Sequence, residues 1–276
     1  MFGVAIELSL DDFKRIAEYP KSVLAGIFSQ FFILPALTFV LVLLWQPSPS
    51  IALGLILVAA CPGGNISNFF SLQAGGNAAL SVTLTAFATL MAVVATPFNL
   101  QFWGNLYPPT AALITQVNLD FTEALKAVFV VLGIPLVAGV LIKQHYPYWA
   151  HRYGKLIRKI SIFIFIAFIL IAFGANYQQF ISYIALVFVL VMIHNALAIA
   201  AGFGFATLLK LPFPDRKTLA IETGIQNSGL GLLLIFTFFE GLGGMALVAA
   251  WWGIWHMVSG LLMSFIWAPK TALAKV

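Results

Sequence analysis

Charge is what this chain most lacks. Only 8% of its 276 residues are Asp, Glu, Lys or Arg and 62% are hydrophobic, which leaves too little polar surface to cover a water-soluble globule. One cysteine, Cys61, excludes an intrachain disulfide. The net charge of +5 does not describe a nucleic-acid surface, because the basic residues are scattered between apolar runs and never gather on one face. The apolar start MFGVAIEL is too short for a secretory signal and has neither a basic lead nor a small-residue cleavage site. An intramembrane enzyme would need a nucleophile beside its base, or a metal motif such as HExxH, and the sequence has neither. Cys61, His194 and His256 lack the spacing of a transition-metal site.

What is present is a series of apolar stretches long enough to cross about 30 Å of hydrocarbon. They fall near 22–45, 51–74, 78–98, 121–142, 160–175, 181–209, 216–239 and 243–267, predicting an all-α polytopic membrane protein of about eight spans. Pro47 to Ser50, Gly75 to Asn77 and Gly241 to Gly244 punctuate the pattern. Lys and Arg accumulate on the cytoplasmic side of membrane proteins. Threading eight spans from an inside start puts every one of the 14 basic residues inside except Lys126. Both termini are therefore expected in the cytoplasm of a multi-pass protein of the cell membrane.

Two spans are broken at mid-depth. CPGGNISN interrupts 51–74 and ETGIQNSG interrupts 216–239, and the second string opens on Glu222, the only one of nine acidic residues set in the middle of a hydrophobic span. A carboxylate at that depth costs roughly 2.5 to 3.5 kcal/mol on translocon scales unless a cation, a proton or a water-filled cavity compensates it. Irregular backbone inside a bilayer is tolerated only where it is buried in protein or lines a cavity, and its freed carbonyls and amides become ligands. Each break is flanked by an unbroken span on either side, giving two triplets of opposite orientation. That pattern predicts an inverted repeat with two discontinuous crossing helices and transport by alternating access.

CPGGNISN followed by GGNAALSVTLT, the Gln30-Phe31 pair and ETGIQN together resemble the bile acid:sodium symporter family, in order and spacing from about residue 8 to 267. The resemblance implies a core domain formed by a first repeat at 22–98 and a second at 181–267, with a panel domain at 121–175. It also implies that the family's first span and most of its second are absent, so that 1–21 is the remnant of a span plus a cytoplasmic interfacial segment and 268–276 is a cytoplasmic tail.

Carried over residue by residue, the resemblance places one sodium ion among Ser67, Asn68, Ser81, Thr85 and Glu222. It places a second among Gln30, Gln226 and Glu222, with backbone carbonyls near Thr223 and Ile225. The donor chemistry agrees independently, since a hard monovalent cation takes about five or six oxygen ligands and these side chains are hydroxyls, amides and a carboxylate. An organic anion is expected at Asn65, Ile66, Asn227 and Ser228, where half-helix amino termini direct partial positive charge, with His256 a further candidate. The pattern departs from many family members at Asn65-Ile66 and at His256-Met257, which bears on the substrate and not on ion binding.

Each residue taken alone has a plainer reading. Glu222 would be a protonated acid bonded to a neighbouring helix, Ser81 and Thr85 would bond back to their own helix, and Gln30 would tie two helices together. His194 with Asn195 reads as structural, Cys61 as a small apolar packer, and Trp251, Trp252 and Trp255 as lipid or helix contacts. The expected function is a sodium-coupled symporter of organic anions, bile acid-like or smaller. A proton-coupled or passive carrier, or a non-transporting binder, stands as the alternative.

Overall fold

The computed structural model describes residues 18–117, 121–175 and 177–268. Among them every regular element is helical: α1 Pro20–Trp45, α2 Pro49–Ala60, α3 Ile66–Gln73, α4 Ala78–Leu106, α5 Pro108–Gln116, α6 Phe121–His145, α7 Pro147–Ala175, α8 Tyr177–Leu208, α9 Phe213–Gly224, α10 Ser228–Phe238 and α11 Gly243–Ile266. Among the described residues five helical stretches are long and apolar enough to cross a membrane: α1, α4, α6, residues Ile181–Leu208 of α8, and α11. The expected windows 51–74 and 216–239 each resolve into two half-helices, α2 with α3 and α9 with α10.

Two elements differ from expectation. The short apolar window 160–175 is the second part of α7, whose first turns carry exposed Arg152 and Lys159 and so escape a hydropathy criterion while remaining good helix. Helix α5 was not anticipated, because nine residues are too few for a span; Pro108 and Pro109 start it where a missing N–H costs nothing. Of the expected span remnant and interfacial segment at 1–21, residues 1–17 lie outside the described residues, as does the expected tail after Ala268.

Prolines shape two of the long helices. Pro35 cannot donate to the carbonyl of Phe31, and α1 widens into a π-turn over Ser29–Ile33 in response; Pro135 does the same to α6 over Phe129–Gly133. The first of these bulges carries Gln30, which is buried.

From Ile51 to Ala60 helix α2 is apolar on all sides and enclosed, with Leu53, Leu55, Leu57 and Val58 inaccessible to solvent. It lies against α4 and α11. Small residues permit the approach: a Cβ on Gly54 would stand 2.8 Å from Met245 Cα of α11. Leu24, Phe32, Leu90, Val94, Phe98, Leu261 and Phe265 instead face outward, as lipid contact requires.

Lys217, expected near the cytoplasmic boundary, is buried in the first turn of α9. Its Nζ donates to the carbonyls of Ala74 (2.9 Å) and Trp267 (3.0 Å), the residues that end α3 and α11. One cation thereby satisfies the carboxyl-terminal dipoles of two helices.

Candidate functional site

Helix α2 ends at Ala60 and the chain becomes extended at Cys61; α9 ends at Gly224 and the chain becomes extended at Ile225. These two interruptions lie side by side and pair as a short antiparallel bridge. Gly64 N donates to Ile225 O at 2.9 Å and Asn227 N donates to Pro62 O at 2.8 Å. The approach depends on two glycines. A Cβ on Gly63 would stand 3.0 Å from Glu222 Oε2, and one on Gly64 would stand 3.0 Å from Gln226 O.

Backbone carbonyls freed by the breaks are satisfied one at a time, as burial demands. Cys61 O accepts from Gln30 Nε2 (2.9 Å), Thr223 O from Gln226 Nε2 (2.7 Å) and Gly224 O from Asn195 Nδ2 (2.7 Å). Side chains from α1 and α8 thus complete what the helices leave open.

Glu222, 5% exposed, sits at the centre. Its Oε1 accepts from Ser67 Oγ of α3 at 2.6 Å and from Ser81 Oγ of α4. Thr85 Oγ1, one turn further along α4, lies 3.3 Å from Oε1 and 3.2 Å from Oε2. Asn68 Oδ1 faces the same two hydroxyls, 2.8 Å from Ser81 and 3.2 Å from Thr85. All five residues expected at the first ion site therefore converge on one point. The cluster gathers carboxylate, hydroxyl and amide groups of α3, α4 and α9, the hard oxygen donors a monovalent cation takes.

The plainer reading of Ser81 and Thr85 as back-bonded helix residues does not describe their contacts. Thr83 and Thr89 do bond to the carbonyls one turn earlier, at 2.9 and 2.7 Å, while Ser81 and Thr85 reach across to α3 and α9.

On the other side of the crossing, Gln30 Nε2 donates to Gln226 Oε1 at 2.7 Å, and Gln226 Nε2 lies 3.3 Å from Gln30 Oε1. Gln30, Gln226 and Thr223 O are thereby in one group. Ile225 O is engaged by Gly64 N and belongs to the bridge. A cavity of about 10 Å³ touches both Gln30 and Glu222, room for one water or one bare ion and far too small for an organic anion.

The residues expected to meet the substrate occupy the ends of the half-helices. Asn65 and Ile66 start α3; Asn227 caps α10 by accepting from Leu230 N at 3.1 Å, and Ser228 is its first residue. Ser228 Oγ and His256 Nδ1 are buried without a hydrogen-bond partner. His256 lies on α11 one turn from Gly260, where a Cβ would meet Phe70 and Ile225; among the described residues nothing bonds its Nδ1 to the half-helix ends.

Sequence reasoning missed the extension of this polar seam toward the amino-terminal end of α9. Asp215, 4% exposed, accepts from Ser22 Oγ at 2.6 Å and from Asn77 Nδ2 at 2.9 Å, and Thr218 Oγ1 accepts from Asn77 N at 2.9 Å. The signal was present as spacing: Asn77, Ser81 and Thr85 recur every turn on α4, opposite Asp215, Thr218 and Glu222 on one face of α9. Ser29 was also missed, and its Oγ lies 2.8 Å from Thr223 Oγ1.

Comparison with known proteins assigns the family. The sodium bile acid symporter family matches residues 1–183. The chain belongs to this family of membrane transporters. It is 33% identical over 270 residues to the uncharacterized sodium-dependent transporter YocS of Bacillus subtilis, covering 98% of this chain and 81% of that protein. It is 31% identical to the probable chloroplastic sodium/metabolite cotransporter BASS1 of Arabidopsis thaliana, over 98% of this chain and 66% of that protein. Against the human sodium/bile acid cotransporter 4 it is 30% identical, over 82% of this chain and 51% of that protein. The chain thus spans most of the bacterial relative and between half and two thirds of the other two.

Proposed function

We propose that this protein is a sodium-coupled symporter of organic anions that works by alternating access. One observation carries the reading: the Glu222 carboxylate and the Asn68 amide both face the hydroxyls of Ser81 and Thr85 on α4, with Ser67 from the start of α3 closing on Glu222, so that oxygens of three helices gather at one point. Sodium-dependent relatives are consistent with it.

Sodium at the Ser67, Asn68, Ser81, Thr85 and Glu222 group joins α3 and α4 to α9. A second ion beside Gln30, Gln226 and Thr223 O joins α1 to the second break. Both ions share the Glu222 charge, and both hold the two breaks in the crossed geometry that aims the amino termini of α3 and α10 at a common anion. Ion and substrate binding are then positively linked, because each favours the same arrangement of the breaks. In this reading α1 to α4 and α8 to α11 form the core, α6 and α7 form the panel against which it moves, and both termini lie in the cytoplasm.

Uptake of organic anions into vesicles containing the purified protein tests the reading. Accumulation should require an inward sodium gradient and vanish when potassium replaces sodium. Accumulation driven by a pH gradient without sodium would overturn it and make Glu222 a proton carrier.

A further inference from the structure

The two breaks are clamped in the same way by helices that precede them. Gln30 on α1 donates its amide to Cys61 O, just beyond α2; Asn195 on α8 donates its amide to Gly224 O, at the end of α9. The two clamped carbonyls each stand two residues before the bridged pair Gly63 and Gln226, so the amides occupy equivalent places about the crossing. Their further contacts differ. Gln30 goes on to Gln226, whereas Asn195 Oδ1 is buried and has no partner.

Asn195 is 1% exposed, and among the described residues its side chain has one hydrogen bond, to Gly224 O. An atom 2.7 Å from a carbonyl oxygen must be the amide nitrogen, so the orientation of the carboxamide is fixed by chemistry. The surrounding face of α8 is shaped to receive α9. A Cβ on Gly202 would stand 2.8 Å from both Leu219 O and Thr223 Oγ1, and a Cβ on Gly224 would run into Ile199. Asn195, Ile199 and Gly202 recur at helical spacing and form one supporting surface beneath the carboxyl-terminal turns of α9.

Gly224 has no side chain to hold its peptide, and glycine backbone rotates more freely than any other. Turning the Gly224 carbonyl toward α8 leaves Thr223 O free to accept from Gln226 and keeps Glu222 directed at Ser67, Ser81 and Thr85. We infer that Asn195 is a positioning residue for the cation site: it fixes the Gly224 peptide on the α8 side, and so sets the affinity for sodium without touching the ion. The inference deepens the proposed function and rests on it.

The test is a sodium titration of the purified, full-length protein, read as thermal stabilisation by NaCl with KCl at equal ionic strength as reference. Asn195→Leu keeps the approximate shape and removes the donor without adding a charge. Thr38→Val is the comparison, since Thr38 Oγ1 lies 2.6 Å from His194 Nε2 and secures the same stretch of α8 away from the break. Asn195→Leu should raise the sodium concentration for half-maximal stabilisation by about tenfold, the effect of losing one buried hydrogen bond. Thr38→Val should lower the melting temperature and leave that concentration unchanged. At saturating sodium, maximal uptake by Asn195→Leu should return to within about twofold of wild type. Should Asn195→Leu fail to fold, Asn195→Ser, which shortens the side chain, is expected to shift sodium half-saturation in the same direction. A normal sodium response in the folded Asn195 variant, or an equal shift in both variants, would overturn the inference alone. A wild-type protein that sodium does not stabilise would overturn the proposed function and the inference with it.

Discussion

Break one, from Cys61 to Asn65, contributes glycines, backbone groups and the start of a helix bearing Ser67 and Asn68; break two, from Ile225 to Asn227, follows directly on Glu222 and carries Gln226. One interruption supplies the charge; the other, together with α4, supplies the neutral oxygens that surround it. The glycines belong on the neutral side because that is where the other strand of backbone and the carboxylate come closest. Neither break alone makes a cation site. The difference teaches that the site is a property of their crossing, so anything that separates the breaks should act like removal of a ligand.

Four substitutions sharpen that comparison. Glu222→Gln removes the charge and keeps the shape; sodium half-saturation should rise by about 100-fold or more, as expected when hydrogen bonds and ion contacts to a charged group are lost. Uptake should disappear with it. Gly64→Ala leaves every ligand in place but pushes a methyl group to 3.0 Å from Gln226 O, a backbone atom with little room to yield. Overpacking of this kind costs about 1–3 kcal/mol, visible as a lowered melting temperature, and sodium affinity should fall as well. Ser81→Ala takes one oxygen from the neutral side and should raise sodium half-saturation by about tenfold, with folding little changed. Thr83→Ala, two residues away on α4 but bonded back to Ala79 O, should leave sodium half-saturation at wild type and alter stability by no more than about 1 kcal/mol. A sodium effect at Thr83 as large as that at Ser81 would mean that α4 acts through packing alone.

Much of this arrangement was legible beforehand, for physical reasons that can be named. Long apolar runs report bilayer spans directly, and a carboxylate among glycines and amides at mid-depth has few stable explanations, so Glu222 and both breaks stood out. Ser67, Asn68, Ser81, Thr85, Gln30 and Gln226 were reached through resemblance, and the geometry brings them together. Other features were hidden because they depend on contacts between distant segments. Helix α5 is too short to register as a span. Lys217 looks like a boundary cation until the ends of α3 and α11 are seen to converge on it. Asp215 and Asn77 are ordinary loop-edge residues in sequence, and only the juxtaposition of α4 and α9 makes them part of one seam with Glu222. Asn195, read with His194 as a structural tie between its span and the neighbouring ones, makes such a tie to α9, but where along α9 it lands, on Gly224 O at the break, was not legible.

Equilibrium binding of radioactive sodium to the purified protein, comparing wild type with Glu222→Gln, is the most direct measurement. The crossing described above predicts saturable binding in the wild type that Glu222→Gln abolishes while both proteins remain folded. Undiminished saturable sodium binding by Glu222→Gln would contradict it.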